Sequence, residues 1–404
     1  MAKIVPFKAV RPTRDKVSLV TSRSYDEYTP AELASQLDYN PFSFLHVLNP
    51  AYVNLQKIST TVRLKAVNTK YEEFKEAEVL KKENDAVFFV YEIRSKNNIY
   101  TGIIAGTSIS DYRENIIKKH EDTLSYRVEY FKDYLHQTGF NTEPVLMTYP
   151  EHPKLQDWIT DKKQKRPLYQ FSTLNKDKHT LWKIKDSAEI AWVQKEFAGM
   201  ESLYIADGHH RSASANMLYE EDKETGNENL NYFMSFLISE NDLKIYEYNR
   251  IIHDLNGLTK QEFLDAVANN FTIQNRHQEL WKPDEKFSFG MYLDGEFYSL
   301  HLKNTNFKPV QDTLDAKILY DNVLRPLLGI TDLRNDERIE YIPGSKPVTV
   351  IKKMIDESEF EVGFMLYPAS MKEIKYHADN NLIMPPKSTY IEPKFRSGLV
   401  IYEL

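Results

Sequence analysis

The sequence contains no cysteine among its 404 residues. That excludes a secreted fold stapled by disulfides, thiol catalysis and any thiolate metal site. It also lacks a run approaching the roughly 18 uncharged apolar residues of a transmembrane helix. The opening Met1-Ala-Lys-Ile-Val-Pro-Phe7 has no apolar stretch long enough for a signal peptide. The address these absences favour is the cytoplasm, with no membrane partner. Positive charge is in deficit too: the formal net charge is −7 and the sequence pI is about 5.9. A basic face for nucleic acid is therefore not expected. The short basic run at 161–166 follows an acidic segment and reads as a solvated loop. Internal repeats and low-complexity tracts are absent.

What is present is ordinary for a globular chain, with 41% hydrophobic and 27% charged residues. At this length two packed domains are the default. Aromatics reach 13%, led by 26 Tyr and 21 Phe, which favours a mixed α+β fold with many strands. Those aromatic strands are compatible with a homodimer. Periodicity predicts strands at 4–10, 86–93, 100–106, 203–206, 232–238, 243–252, 287–293, 296–302 and 361–367. It predicts helices from about Thr29, over 68–84, 121–137, from Ser212 to about Glu220, and over 259–270 and 313–328. Thr29 with Glu32, and Pro30 between them, forms a capping-box signature. Residues 150–180 read as a polar surface connection. A soft boundary near 255 separates 1–255 from 256–404.

The most informative passage is Leu203-Tyr-Ile-Ala206 running into Asp207-Gly208-His209-His210-Arg211 and then a helix. Gly208 permits a sharp turn at the strand's end. The helix start offers amide N–H groups and the positive end of its dipole to an anion. Arg211 brings a planar fork suited to phosphate. Asp207 is placed to bind a metal or to orient an imidazole. Adjacent His209 and His210 diverge on a helix and chelate one ion poorly, and no His-Glu-x-x-His occurs. A polar surface turn is the bland alternative.

Three other passages hold candidate chemistry. Lys387-Ser388-Thr389 offers a cation and two hydroxyls, a phosphate grip without the glycines of a P-loop. Lys119, His120, Glu121 and, a little further on, Arg127 gather around the start of the 121–137 helix, where Glu121 and Asp122 would also complement the dipole. Asp26 could be a carboxylate base or a magnesium ligand. His46, between Leu45 and Val47, reads as a core histidine.

Leu203 to Ala215, Asn40-Pro-Phe-Ser-Phe-Leu-His-Val47, His120-Glu-x-Thr123 and Met384-Pro-Pro-Lys-Ser-Thr389 continuing to Pro393-Lys394 and Ser397-Gly398-Leu399 together resemble the family called domain of unknown function 1015. The Asp207–Arg211 turn and Pro386–Thr389 also resemble the free serine kinases of the ParB/sulfiredoxin-like fold. The resemblance implies such a core within 1–255, a large insertion at about 50–150, and a second α+β region over 256–404 whose C-terminal tail returns to the active site.

It further implies phosphoryl transfer from ATP or ADP, with Mg²⁺, to L-serine, giving O-phosphoserine. Asp207, His209, His210 and Arg211 would line phosphates and metal, with Gly208 and Ser212 in the turn, while Lys387, Ser388 and Thr389 close over them. Arg127 or Lys119 would meet the substrate's carboxylate, with His120 and Glu121 beside them. The chain departs from those kinases after its first strand: Arg11-Pro12-Thr13 stands where they carry a Pro-His pair and a glutamate, and Asp26 is the substitute candidate. A ParB-like regulatory nucleotide-binding protein, a phosphate-ester hydrolase and a scaffold with a vestigial site are the competing readings.

Overall fold

A computed structural model describes residues 1–50, 59–307, 313–357 and 359–404, without the side chain of Asp26. The chain divides into two units. The first comprises Met1–Lys119, Thr123–Leu243 and Pro393–Leu404; the second comprises His120–Asp122 and Lys244–Glu392. The division falls at Leu243/Lys244 instead of near 255. The reason is pairing: Tyr248–Ile252 lies between two strands of the second unit's sheet.

The first unit is built on a nine-stranded sheet. Its strands are β1 (Ile4–Val5), β2 (Phe88–Arg94), β3 (Ile99–Ser108), β4 (Ile117–Lys118), β5 (Val145–Tyr149), β6 (Tyr169–Ser172), β7 (Lys178–Ile184), β8 (Leu203–Asp207) and β9 (Tyr232–Ser239). They run in the order β4-β8-β5-β9-β3-β2-β7-β6, with β1 on β3. The hairpin expected across 95–98 is present, with Arg94 opposite Ile99. The expectation of a polar connection over 150–180 is overturned. That stretch holds a helix, Pro153–Lys163, the strand β6 and the start of β7, which pairs with β2 along its whole length. The alternation of His179, Leu181 and Lys183 with Thr180 and Trp182 hid a strand buried on both faces.

The first unit also holds helices. Among them are α1 (Pro30–Tyr39), α2 (Thr60–Glu76), α3 (Ser125–Thr138), α4 (Pro153–Lys163), α5 (Ser187–Ala198) and α6 (His209–Asp222). Thr29 caps α1, and Glu32 completes the capping box. The helix expected over 68–84 lies at 60–76, followed by a short strand, Leu80–Lys82. The helix expected over 121–137 begins only at Ser125 and has no acidic residue in its first turn, so Glu121 and Asp122 do not serve its dipole. His46 lies in a short helix, Leu45–Leu48, half-buried, with Nε2 3.1 Å from the Asn40 carbonyl oxygen. The main core gathers Phe88, Val90, Ile103, Val145, Met147, Ile205 and Leu237, all within 2% of full burial.

The C-terminal segment is fastened to this unit. Tyr402–Glu403 pairs with Phe140–Asn141. The Glu403 carboxylate takes Lys75 at 2.9 Å, Lys82 at 2.6 Å and the Tyr71 hydroxyl at 2.9 Å. Burial pushes Glu403 up, but these partners outweigh it and hold the carboxyl below its ordinary range.

The second unit has a six-stranded sheet of β10 (Tyr248–Ile252), β11 (Phe271–His277), β12 (Ser288–Leu293), β13 (Glu296–Leu302), β14 (Ile339–Pro343) and β15 (Val362–Met365), ordered β11-β13-β12-β15-β10-β14. Two of its helices, Lys260–Val267 and Met371–Asp379, start with complete capping boxes, at Thr259/Glu262 and Ser370/Glu373. The helix expected over 313–328 is shorter, Asp315–Leu319, and continues as a wider turn through Leu324. The architecture is α+β. Among the described residues no helix is long and apolar enough to cross a membrane.

Candidate functional site

Strand β8 ends beside the site. Its pairing with β5 shifts register between Ile205 and Asp207, a bulge that re-aims the last residues of the strand. Gly208 then takes φ +98°, a left-handed conformation open to glycine at little cost, and α6 begins at His209. No side chain caps this helix start among the described residues. A Cβ at position 208 would lie 2.8 Å from Arg211 Nη2, because the guanidinium folds back over the glycine.

Arg211 joins two carboxylates. Its Nη2 donates to Asp207 Oδ2 at 3.3 Å and its Nη1 to Glu143 Oε2 at 3.1 Å. Lys394 Nζ stands 3.4 Å from the same Asp207 oxygen. The buried Ser397 hydroxyl donates to Glu143 Oε1 at 2.6 Å. Desolvation raises the Asp207 carboxyl, but Lys394 and Arg211 outweigh it and hold it below the usual carboxylate range. Asp207 is therefore ionised at neutral pH and already carries two cations.

Two of the turn's side chains face inward. His209 is 4% exposed. His210 Nε2 accepts the backbone N–H of Leu124 at 3.0 Å, which puts the proton of the neutral ring on Nδ1 and ties α6 to the approach of α3. Ser212, expected to bind cofactor, is fully buried and donates to the His209 carbonyl at 3.0 Å. Its hydroxyl serves the helix.

The remaining candidates fall in different places. Lys119 belongs to the first unit, its ammonium 4.6 Å from the centre of the Tyr112 ring. Arg127 is exposed on α3, with Nε 3.3 Å from the Tyr126 hydroxyl. His120 and Glu121 belong to the second unit, as do Lys387, Ser388 and Thr389. There the His120 carbonyl accepts the N–H of Met384 at 2.9 Å, and the Thr389 hydroxyl donates to Glu121 at 3.4 Å. Two passages that the sequence kept apart thus meet. Ser388 donates to the Pro385 carbonyl at 2.6 Å, and Lys387 lies over the Tyr248 ring at 5.0 Å. All three groups of the expected grip already have protein partners. Asp26 lies in the short turn Tyr25–Glu27, and its side chain is outside the described residues.

Sequence reasoning missed Glu143 as a site residue, and assigned no role to Lys394 or Ser397. The signal for the last two was there: both stand in the C-terminal passage Pro393–Leu399 that carries the family resemblance. Nothing local marked Glu143, a lone glutamate before Pro144. Among the described residues no group of three or more His, Asp or Glu could hold a metal ion.

Fold and site together define an α+β protein of two units, with a glycine-started helix whose arginine bridges two carboxylates. The chain belongs to the family described as protein of unknown function DUF1015, whose model matches residues 4–317. No curated protein matches it. Among solved structures it is similar to a free serine kinase in complex with AMP, at 12% identity over 76% of this chain and 94% of that one, with a TM-score of 0.36. A C-terminally truncated SbnI from Staphylococcus aureus is 14% identical over 73% of this chain and 85% of its own, with a TM-score of 0.38. A conserved hypothetical protein from Pyrococcus furiosus is 11% identical over 75% and 94%, with a TM-score of 0.34.

Proposed function

We propose that this protein transfers a phosphoryl group from a nucleotide, ATP or ADP, to the hydroxyl of a small molecule. Arg211 carries the reading. One guanidinium in the first turn of a helix without a capping side chain holds Asp207 on one side and Glu143 on the other. Helix start, Arg211 and Lys394 form a positively polarised corner of the kind that receives phosphate oxygens. The guanidinium and ammonium would exchange carboxylate for phosphate when substrate arrives.

Charge limits how this works. Two cations against two carboxylates leave the corner near neutral, so a nucleotide needs further counter-charge. Magnesium commonly binds through one or two carboxylates plus phosphates and water. Asp207 suits that donor set, and the ion would offset charge on the transferring group. Arg211 holds the phosphoryl oxygens in line, and a carboxylate takes the proton of the acceptor's hydroxyl.

L-Serine, the acceptor that the resemblance of Asp207–Arg211 implies, is the first to test. The purified chain is incubated with Mg²⁺, ATP or ADP, and L-serine, and O-phosphoserine and free phosphate are measured. Phosphorylated product that depends on acceptor and disappears in Asp207→Asn supports transfer. Phosphate released equally without any acceptor makes the protein a hydrolase. Failure to bind either nucleotide in calorimetry ends the reading.

A further inference from the structure

A cavity of about 440 Å³ lies within the first unit, next to the arginine bridge. Its walls combine Leu64, Val67, Tyr130, Phe131 and Tyr134 with polar groups such as Arg63, so an aromatic and aliphatic face stands beside a polar one. Tyr130 and Phe131 meet edge to face at 5.8 Å. The Tyr134 hydroxyl is buried without a hydrogen-bond partner. Glu143 and Arg211 line the same cavity; Asp207 and Lys394 do not. Much of the wall comes from α2 and α3, within the 50–150 stretch that the sequence singled out as an insertion.

Size and lining both bear on what enters. The volume equals that of on the order of 15 waters at ~30 Å³ each. An acceptor as small as serine would leave most of it to solvent against apolar walls. Pockets of such size and lining receive molecules with a sizeable apolar body and a few fixed polar groups. Arg211 divides the two halves of the site: Nη2 faces Asp207, where phosphate charge is expected, and Nη1 faces Glu143, on the cavity side.

We infer that this cavity is the acceptor pocket of the proposed transfer, that it selects an alcohol bearing an aromatic or branched apolar body in preference to serine, and that Glu143 is the base. The inference rests on the kinase reading. In the transfer the acceptor's O–H proton passes to a Glu143 carboxylate oxygen. The freed oxygen forms a bond to the terminal phosphorus. The bond from that phosphorus to the bridging oxygen breaks, and its electron pair leaves on the nucleotide, now one phosphate shorter. Ser397 keeps the other Glu143 oxygen in place during this step.

Binding is tested apart from turnover. Calorimetry on the full chain without nucleotide compares 2-phenylethanol, adenosine and L-serine, using wild type, Leu48→Trp to narrow the cavity and Phe131→Ala to remove an exposed part of its wall. The aryl alcohol should bind wild type best and lose about tenfold in affinity in each variant. With nucleotide present, Glu143→Gln should leave aryl-alcohol affinity within about twofold and cut transfer by about a hundredfold or more. Adenosine that displaces the aryl alcohol would make the cavity a base pocket and overturn the inference. So would L-serine phosphorylated with a higher kcat/KM than every larger alcohol tested, or aryl-alcohol affinity equal in all three proteins. Aryl-alcohol binding that both variants weaken, with no nucleotide consumed for any acceptor, would sink the kinase reading and Glu143 as base while sustaining the selective pocket.

Discussion

Asp207 in the first unit and Asp315 in the second meet opposite environments. Asp207 faces Lys394 and Arg211, and its carboxyl is held below the ordinary range although desolvation pulls the other way. Asp315 is 6% exposed; its Oδ1 accepts the Phe287 N–H at 3.1 Å, and its Oδ2 is buried without a partner. Burial is the largest influence there and pushes the carboxyl up to about 7, helped by Glu373 and opposed by the Phe287 N–H and Lys286. The difference teaches what sets a carboxylate's charge. Where neighbouring cations outweigh desolvation, a carboxylate stays charged and can exchange them for a ligand's groups; where burial outweighs a nearby lysine, it holds a proton more tightly.

The largest expected effect comes from breaking the first environment. Arg211→Ala removes the bridge between Asp207 and Glu143 and one of the two cations on Asp207. If transfer occurs as proposed, turnover should fall by about 10²- to 10³-fold, the range for losing a charge-stabilising donor. The Asp207 carboxyl should also move up, since one of its main charge partners is gone and only Lys394 and His209 remain to hold it down. Wild-type Asp207 contributes stability above its unfolded pKa, lost as pH falls through the depressed folded value. In Arg211→Ala that loss should begin at higher pH, which urea titrations between pH 2 and 6 would detect. An unchanged acid limb would mean that the bridge does not set the charge of Asp207.

The second effect sharpens the contrast from the other side. A carboxyl raised from 3.8 to about 7 contributes stability that is complete below the unfolded value and is lost as pH rises through the folded one. Asp315→Asn keeps an oxygen for the Phe287 N–H and removes the titration. The variant should match or slightly trail wild type at pH 4 and exceed it at pH 8. The expected gain is on the order of a few kcal/mol by the energy of a pKa unit, measured by urea unfolding. Equal pH profiles for the two proteins would show that the Asp315 carboxyl titrates alike in the folded and unfolded chain.

How much of this could be read beforehand follows from what kind of signal each element carries. Thr29 with Glu32 marked a helix start because a capping box is local. The turn at Asp207–Arg211 announced itself because glycine, two histidines and an arginine make a poor structural choice at a helix start. Strand β7 was hidden, since Lys178, His179 and Lys183 look like surface while pairing with β2 decides their fate. Glu143 was hidden for the same reason: its partners Arg211 and Ser397 stand 68 and 254 residues away. Long-range partners leave no trace in spacing, so Asp207 and Arg211 were legible while Glu143 and the donors Lys394 and Ser397 were not.

The smallest effect separates backbone cost from site geometry by comparing two glycines. Gly208 has φ +98° and Gly295, in the hairpin between β12 and β13, has φ +77°. Alanine at either position enters a left-handed conformation and should cost about 1 kcal/mol of stability. At Gly295 the added Cβ meets nothing within 4 Å. At Gly208 it meets the Arg211 guanidinium at 2.8 Å, a flexible group that moves aside and so leaves its place between Asp207 and Glu143. Both variants should therefore lose similar stability in urea, yet only Gly208→Ala should weaken nucleotide binding, by about tenfold if one charge-assisted contact is lost. Equal binding by the two variants would place the phosphate away from Arg211. Gly208 would then be required by the turn alone.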